Sequence, residues 1–252
     1  MTKRLFTFGC SYTKSFYPTW ADFLGEEFNH YENWGVQGIG NRAIAERVAE
    51  CHASKDINKD DIVIVQWSNY LRHDFYNPFP VLNRLEKWKT GGDINNPKNK
   101  KVYDETWMKK FFSEKAYIMH SLNYITLIQE LLNSTRCTWY MTSIIDWKNL
   151  IQTKASELEF YVKPIWEDHK DHWLSNIDNN RWEWKDVILE DQCPSSRDHY
   201  NWLIKNVTPK LNIEIKDQTE FLKKLEQTKK LSRDERSKFS SHYPQYLSYQ
   251  GL

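Results

Sequence analysis

Ser11 is the first residue of the chain placed to do covalent chemistry. It follows the apolar, β-rich run Arg4-Leu5-Phe6-Thr7-Phe8 through Gly9-Cys10. A strand feeding Gly-x-Ser puts the hydroxyl at the strand's carboxyl end, the edge where open α/β sheets bind ligands. Gly9 permits a sharp turn there, and the backbone N–H groups that follow can face a ligand. A serine hydroxyl is a poor nucleophile until a base takes its proton, and histidine, with an unperturbed pKa near ~6.5, suits that exchange. A carboxylate that holds the imidazole in one tautomer completes such a set. The segment Glu190-Asp191-Gln192-Cys193-Pro194-Ser195-Ser196-Arg197-Asp198-His199 offers the imidazole at His199 and a carboxylate at Asp191 or Asp198. Cys193 is no substitute base, because a thiol has neither histidine's pKa nor its two-ended hydrogen bonding.

Other chemistries fit less well. The loop Gly35-Val36-Gln37-Gly38-Ile39-Gly40-Asn41 superficially resembles a dinucleotide fingerprint, but its glycine order is wrong and no suitably placed acid follows. Asp168-His169-Lys170-Asp171-His172 spaces two histidines on one helical face, yet a solvated charged segment explains it more simply than a metal site. Cys10, Cys51, Cys137 and Cys193 form no C-x-x-C pair, so reduced thiols are expected rather than a disulfide framework.

The elements that must hold Ser11 are legible in order. Thr19 reads as the N-cap of a helix through Trp20, Phe23 and Leu24, and Tyr31 to Trp34 as a short strand. Ala43 to Ala49 has helix-forming composition. The run Asp61 to Trp67, with its continuous β-branched stretch, predicts a strand buried on both faces of a parallel sheet, and Ser68-Asn69 follows at the same edge as Ser11. One long helix is expected over Thr106 to Asn133, with Ile118, Leu122, Ile125, Ile128 and Leu132 as its core stripe. Cys137 to Thr142 reads as a strand, and Ser195 to Asn206 as a helix capped at Ser195 or Ser196. Residues 77–103 and 146–186 read as insertions, and the tail from Lys216 as helical.

Composition narrows the classes. The 252 residues, 40% hydrophobic, suffice for one large core, so one domain with two insertions is the economical account. Thirty-five basic and 34 acidic side chains leave no excess that would favour nucleic acid or an anionic membrane. The mean hydropathy of −0.77 and the lack of a long apolar run argue against a membrane span. A soluble, intracellular protein is expected. The 12 Trp and 14 Tyr suit either a core or a sugar-binding surface.

Taken together, Gly9-Cys10-Ser11-Tyr12-Thr13, Asn33-Trp34-Gly35-Val36-Gln37-Gly38, Trp67-Ser68-Asn69 and the segment ending at His199 resemble, in order, the four blocks of the SGNH/GDSL hydrolase family. The resemblance implies a three-layer α/β/α sandwich with a mostly parallel, flavodoxin-like sheet. It implies Ser11 as nucleophile, and an oxyanion hole built from the Ser11 N–H, the Gly38 N–H and the Asn69 amide. His199 would act as base, with Asp191 orienting it, and no metal or cofactor would be required. Tyr12, Asn41 and Arg72 are candidate substrate contacts. The implied activity is a serine esterase acting on a small-molecule or carbohydrate ester. Two positions depart from the family pattern: Cys10 stands where aspartate is usual, and Cys193 stands where histidine usually precedes the proline. The second departure motivates a rival expectation, a binding protein on the same scaffold that does not turn its ligand over. A third is a docking protein that acts through the two insertions.

Overall fold

A computed structural model describes residues 3–15, 17–76, 88–95, 103–177 and 194–227. Four parallel strands form its centre: β1 (Arg4–Phe8), β2 (His30–Asn33), β3 (Ile62–Trp67) and β6 (Thr138–Ser143), in the order β2-β1-β3-β6. A separate antiparallel hairpin pairs β4 (Arg72–Tyr76) with β5 (Trp88–Asp93). β3 is buried along its whole length, as its Ile-Val-Ile-Val run requires of a central parallel strand. From β1 the chain steps to one side to make β2, then returns past β1 to make β3. The sheet therefore reverses direction between β1 and β3, the switch point at which α/β sheets open a crevice at their carboxyl ends.

The helices follow their sequence signals. α1 (Trp20–Gly25) starts after Thr19, whose N–H donates to the Asp22 carboxylate at 2.9 Å. α2 (Asn41–Lys55) packs against α4 (Glu114–Thr135), whose inward stripe is Ile118, Leu122, Ile125, Ile128 and Leu132. α5 spans Trp147–Lys154 and is followed by short 3₁₀ and π turns up to His172. α6 (Ser196–Asn206) lies against α1, with Trp20 and Trp202 edge to face at 5.6 Å. α7 (Thr208–Leu211) and α8 (Thr219–Gln227) close the described chain, and the 216–218 segment is tied to the end of α1 by Gln218 and Lys216 bonding Glu26 and Glu27.

Two expectations about elements change. The helix read over Thr106 to Asn133 is two helices, α3 (Glu105–Phe111) and α4. Asp104 caps the first and Ser113 the second, so a new N-terminus interrupts what periodicity alone reads as continuous. The 77–103 excursion, expected to be irregular, contains β5, which pairs back onto β4. Residues 77–87 and 96–102 of that insertion, and 178–186 of the second, lie outside the described residues. No helix among the described residues is long and apolar enough to cross a membrane.

Candidate active site

Ser11 opens the tight turn after β1, where the Thr13 and Lys14 N–H groups both donate to the Cys10 carbonyl. Gly9 makes the turn possible. Its φ is +155°, and a Cβ there would collide with Thr13 Oγ1 and crowd Gln66. Around it the turn is pinned from several sides. Thr13 donates to Gln66 Oε1 at 2.8 Å, Thr19 Oγ1 and Asn33 Nδ2 both donate to the Thr13 carbonyl, and the Val36 N–H donates to the Gly9 carbonyl at 3.0 Å. The nucleophile candidate thus sits on a rigid base, itself mostly buried.

Gly38 lies at the tip of the β2–α2 loop with φ +78°, a left-handed conformation that side chains rarely adopt. Its N–H has no protein acceptor among the described residues. Asn69 follows β3 in a turn closed by Arg72 N–H donating to the Asn69 carbonyl. Its Oδ1 accepts the Leu71 N–H at 2.9 Å, which orients the amide, and its Nδ2 donates to no protein group among the described residues. Two uncommitted donors therefore stand on the two loops beside the Ser11 turn.

Three buried side chains hold those loops in place. Asn41, expected to touch substrate, is 3% exposed and spends its amide on the frame: Oδ1 accepts the Ser68 N–H at 2.7 Å, and Nδ2 donates to the Ser68 carbonyl and to Ser121 Oγ. Arg72 is half-buried, and its Nη1 donates to Ser68 Oγ at 2.7 Å and to the Ile39 carbonyl at 3.2 Å. Asp74, which by its place after Asn69 with Arg72 and His73 reads as a substrate contact or part of an exposed ion-paired turn, is instead buried and accepts the Gly40 N–H on both oxygens and the Ala43 N–H on one, so it caps α2 from β4. Only the folded pairing of β4 with α2 makes it a cap, so no local sequence signal announces it.

Burial, opposed by the Gly40 and Ala43 N–H groups, pushes the Asp74 carboxyl up to about 6. Since the unfolded value is near 3.8, the folded chain alone holds this proton between about pH 4 and pH 6. Asp74 therefore adds stability as pH falls through that window and withdraws it as pH rises. Replacing it with Asn removes the titration. The melting temperature of Asp74→Asn, relative to wild type, is expected to rise between pH 4.5 and pH 7.5, and a pH-independent difference would refute the assignment. The linkage is worth roughly 1.4 kcal/mol per pH unit.

Cys10 is fully buried directly behind Ser11. Burial pushes its thiol up, but the Arg72 guanidinium, the Tyr12 N–H and the Ser68 hydroxyl outweigh that and leave it below the ordinary thiol value. The residue just before Ser11 is thus a polarised thiol facing a cation.

His199 arrives on α6, on the buried stripe Ser196, His199, Trp202 and Leu203. Its ring is 0% exposed and packs edge-on against Tyr12 at 6.0 Å and tilted against Tyr17 at 6.4 Å. The fold therefore carries it to the segment that bears Ser11. No hydrogen bond joins it to Ser11, however, because neither Nδ1 nor Nε2 has a partner among the described residues. Burial pushes its pKa down to about 3, so the ring is neutral. Tyr12, also expected to meet substrate, is 5% exposed, its ring packed on this imidazole. Asp198 is occupied elsewhere. Its carboxylate accepts the Ser195 hydroxyl at 2.7 Å and the Ser195 N–H, in a capping box that starts α6. Asp191 and Cys193 lie outside the described residues.

His169 and His172, weighed as a metal pair, pack on Trp139 instead. The His172 ring stacks at 4.0 Å, and its Nδ1 meets the Trp139 carbonyl at 2.8 Å. No cluster of metal-ligating side chains occurs among the described residues. Comparison with known proteins yields no matching family model and no matching curated protein.

Proposed function

We propose that this protein is a serine ester hydrolase of the SGNH/GDSL type, acting on a small-molecule or carbohydrate ester. Right-handed crossovers on either side of the switch point would put α1 and α2 on opposite faces of the sheet, which gives the three-layer, flavodoxin-like sandwich that the resemblance implies. The observation that carries the reading is the pair of uncommitted donors, Gly38 N–H and Asn69 Nδ2, on the loops flanking the Ser11 turn. Preorganised donors of this kind stabilise the oxyanion of a tetrahedral intermediate, and losing one costs about 10²–10³ in rate.

In this mechanism Ser11 Oγ attacks the ester carbonyl and His199 takes its proton. The Ser11 N–H, Gly38 N–H and Asn69 amide receive the negative charge. His199 then protonates the departing alkoxide, and a water repeats the sequence to release the acid. Asp191 is assigned the orienting role that Asp198, committed to its cap, leaves open. An imidazole at about 3 is a weak base in the resting protein, and a carboxylate meeting Nδ1 as substrate binds would raise it toward the working pH.

A second reading, a binding protein that does not turn over its ligand, is favoured by the unpartnered nitrogens of His199 and by Cys193. A fluorophosphonate probe separates the two, because it phosphonylates only an activated serine. The hydrolase reading expects one label per chain, located at Ser11 by mass spectrometry, together with turnover of p-nitrophenyl acetate. A protein that takes no label and shows no turnover is the binding protein.

A further inference from the structure

Arg72 was expected to touch substrate, yet its bonds run to the protein. One guanidinium nitrogen, Nη1, carries two N–H groups, and both are used: one on the Ile39 carbonyl at 3.2 Å, the other on Ser68 Oγ at 2.7 Å. Ile39 is the residue after Gly38, and Ser68 is the residue before Asn69. The same side chain therefore grips the immediate neighbours of both uncommitted donors. Its backbone N–H closes the turn that presents Asn69. Its charge also faces the Cys10 thiol, next to Ser11. A third anchor is steric, since a Cβ on Gly40 would run into Arg72 at its carbonyl and its Cβ.

These contacts place Arg72 at the junction of the three loops that end β1, β2 and β3. Resting on the hydrolase reading, we propose that Arg72 is a positioning residue that fixes the spacing between the Gly38 and Asn69 donors and the Ser11 turn, and that it does not bind substrate. The physical reason is the fork: a planar guanidinium holds two acceptors at a set separation, which a flexible ammonium does not. An oxyanion site loosened by a fraction of an ångström loses its transition-state advantage while the substrate still binds.

The test compares wild type, Ser11→Ala, Arg72→Lys and Arg72→Met on p-nitrophenyl acetate, with melting temperatures and inhibition by phenylboronic acid, a mimic of the tetrahedral intermediate. For Arg72→Met, kcat is expected to fall about 30- to 100-fold with KM within twofold, and the boronate inhibition constant to rise by a similar factor. Arg72→Lys should fall between Arg72→Met and wild type, at a melting temperature near that of wild type. Three results overturn the proposal: a raised KM with kcat intact, which makes Arg72 a substrate contact; unchanged kcat in both variants; or a lost kcat with unchanged boronate inhibition. The controls keep the two claims apart. If wild type shows no Ser11-dependent turnover, the hydrolase reading fails and takes this proposal with it. If wild type turns over and the Arg72 variants match it, only the Arg72 proposal fails.

Discussion

Ser11→Ala is expected to reduce kcat/KM for p-nitrophenyl acetate by at least about 10³-fold while leaving the melting temperature within a few degrees of wild type. The activity effect is large because nothing else at the site can form the acyl intermediate. Cys10, the nearest alternative nucleophile, is fully buried behind the turn. The stability effect is small because the turn has many other supports. It is held by backbone bonds to the Cys10 carbonyl and by Thr13, Thr19, Asn33 and Val36. The residual rate should be that of the oxyanion donors and bound water. A purified Ser11→Ala protein that hydrolyses the ester at the wild-type rate would remove Ser11 from the mechanism.

His199→Phe should separate catalysis from folding. Phenylalanine fills nearly the same flat space between Tyr12 and Tyr17 but carries no nitrogen, so it leaves no buried polar atom unpaired. An unpartnered buried donor or acceptor costs about 1–3 kcal/mol, and removing it at constant shape is neutral or stabilising. The expected result is loss of turnover by about 10³-fold or more with a melting temperature equal to or above that of wild type. The pH response gives a second readout. The folded ring resists protonation down to about pH 3, whereas the unfolded ring takes a proton below about 6.5. The unfolded state thus binds more protons in that window, and wild type loses stability from this group as pH falls from 6.5 toward 3. His199→Phe should lose that acid sensitivity. A variant that keeps its activity would end the base assignment, and one that unfolds easily would mean the imidazole is hydrogen-bonded in the native protein.

What the sequence reveals of this site follows a physical division between local and long-range interactions. β3 is readable because a buried parallel strand must be apolar on both faces, and Ile62 to Val65 satisfy that with β-branched side chains. The start of α6 is readable because Ser195 and Asp198 form a cap between near neighbours. Gly9 and Gly38 are readable because the turns they make are local. The roles of Asn41, Arg72 and Asp74 are not. Each is defined by a partner 27 to 34 positions away, at Ser68, Ile39 and Gly40 respectively, so its chemistry exists only after the strands have paired. Asp198, a plausible triad acid by spacing, is by contrast engaged locally, in the cap it forms with Ser195 three positions away. The division at Phe112 is local too: Ser113 caps α4 through the Ala116 N–H three positions on, a signal that the continuous apolar stripe outweighs in a reading by periodicity.

The docking of α6 on α1 has a temporal corollary. Strand pairing joins β1, β2, β3 and β6 into one hydrogen-bonded body, whereas the imidazole is brought against Tyr12 and Tyr17 only through side-chain packing such as Trp20 against Trp202. A growing chain can therefore complete its sheet, its glycine turns and both loop donors while the helix bearing the base is still being synthesised. Under the proposed hydrolase mechanism, an ester meeting that unfinished polypeptide would find the cradle assembled and the proton acceptor missing, and reactivity would be withheld until α6 seats.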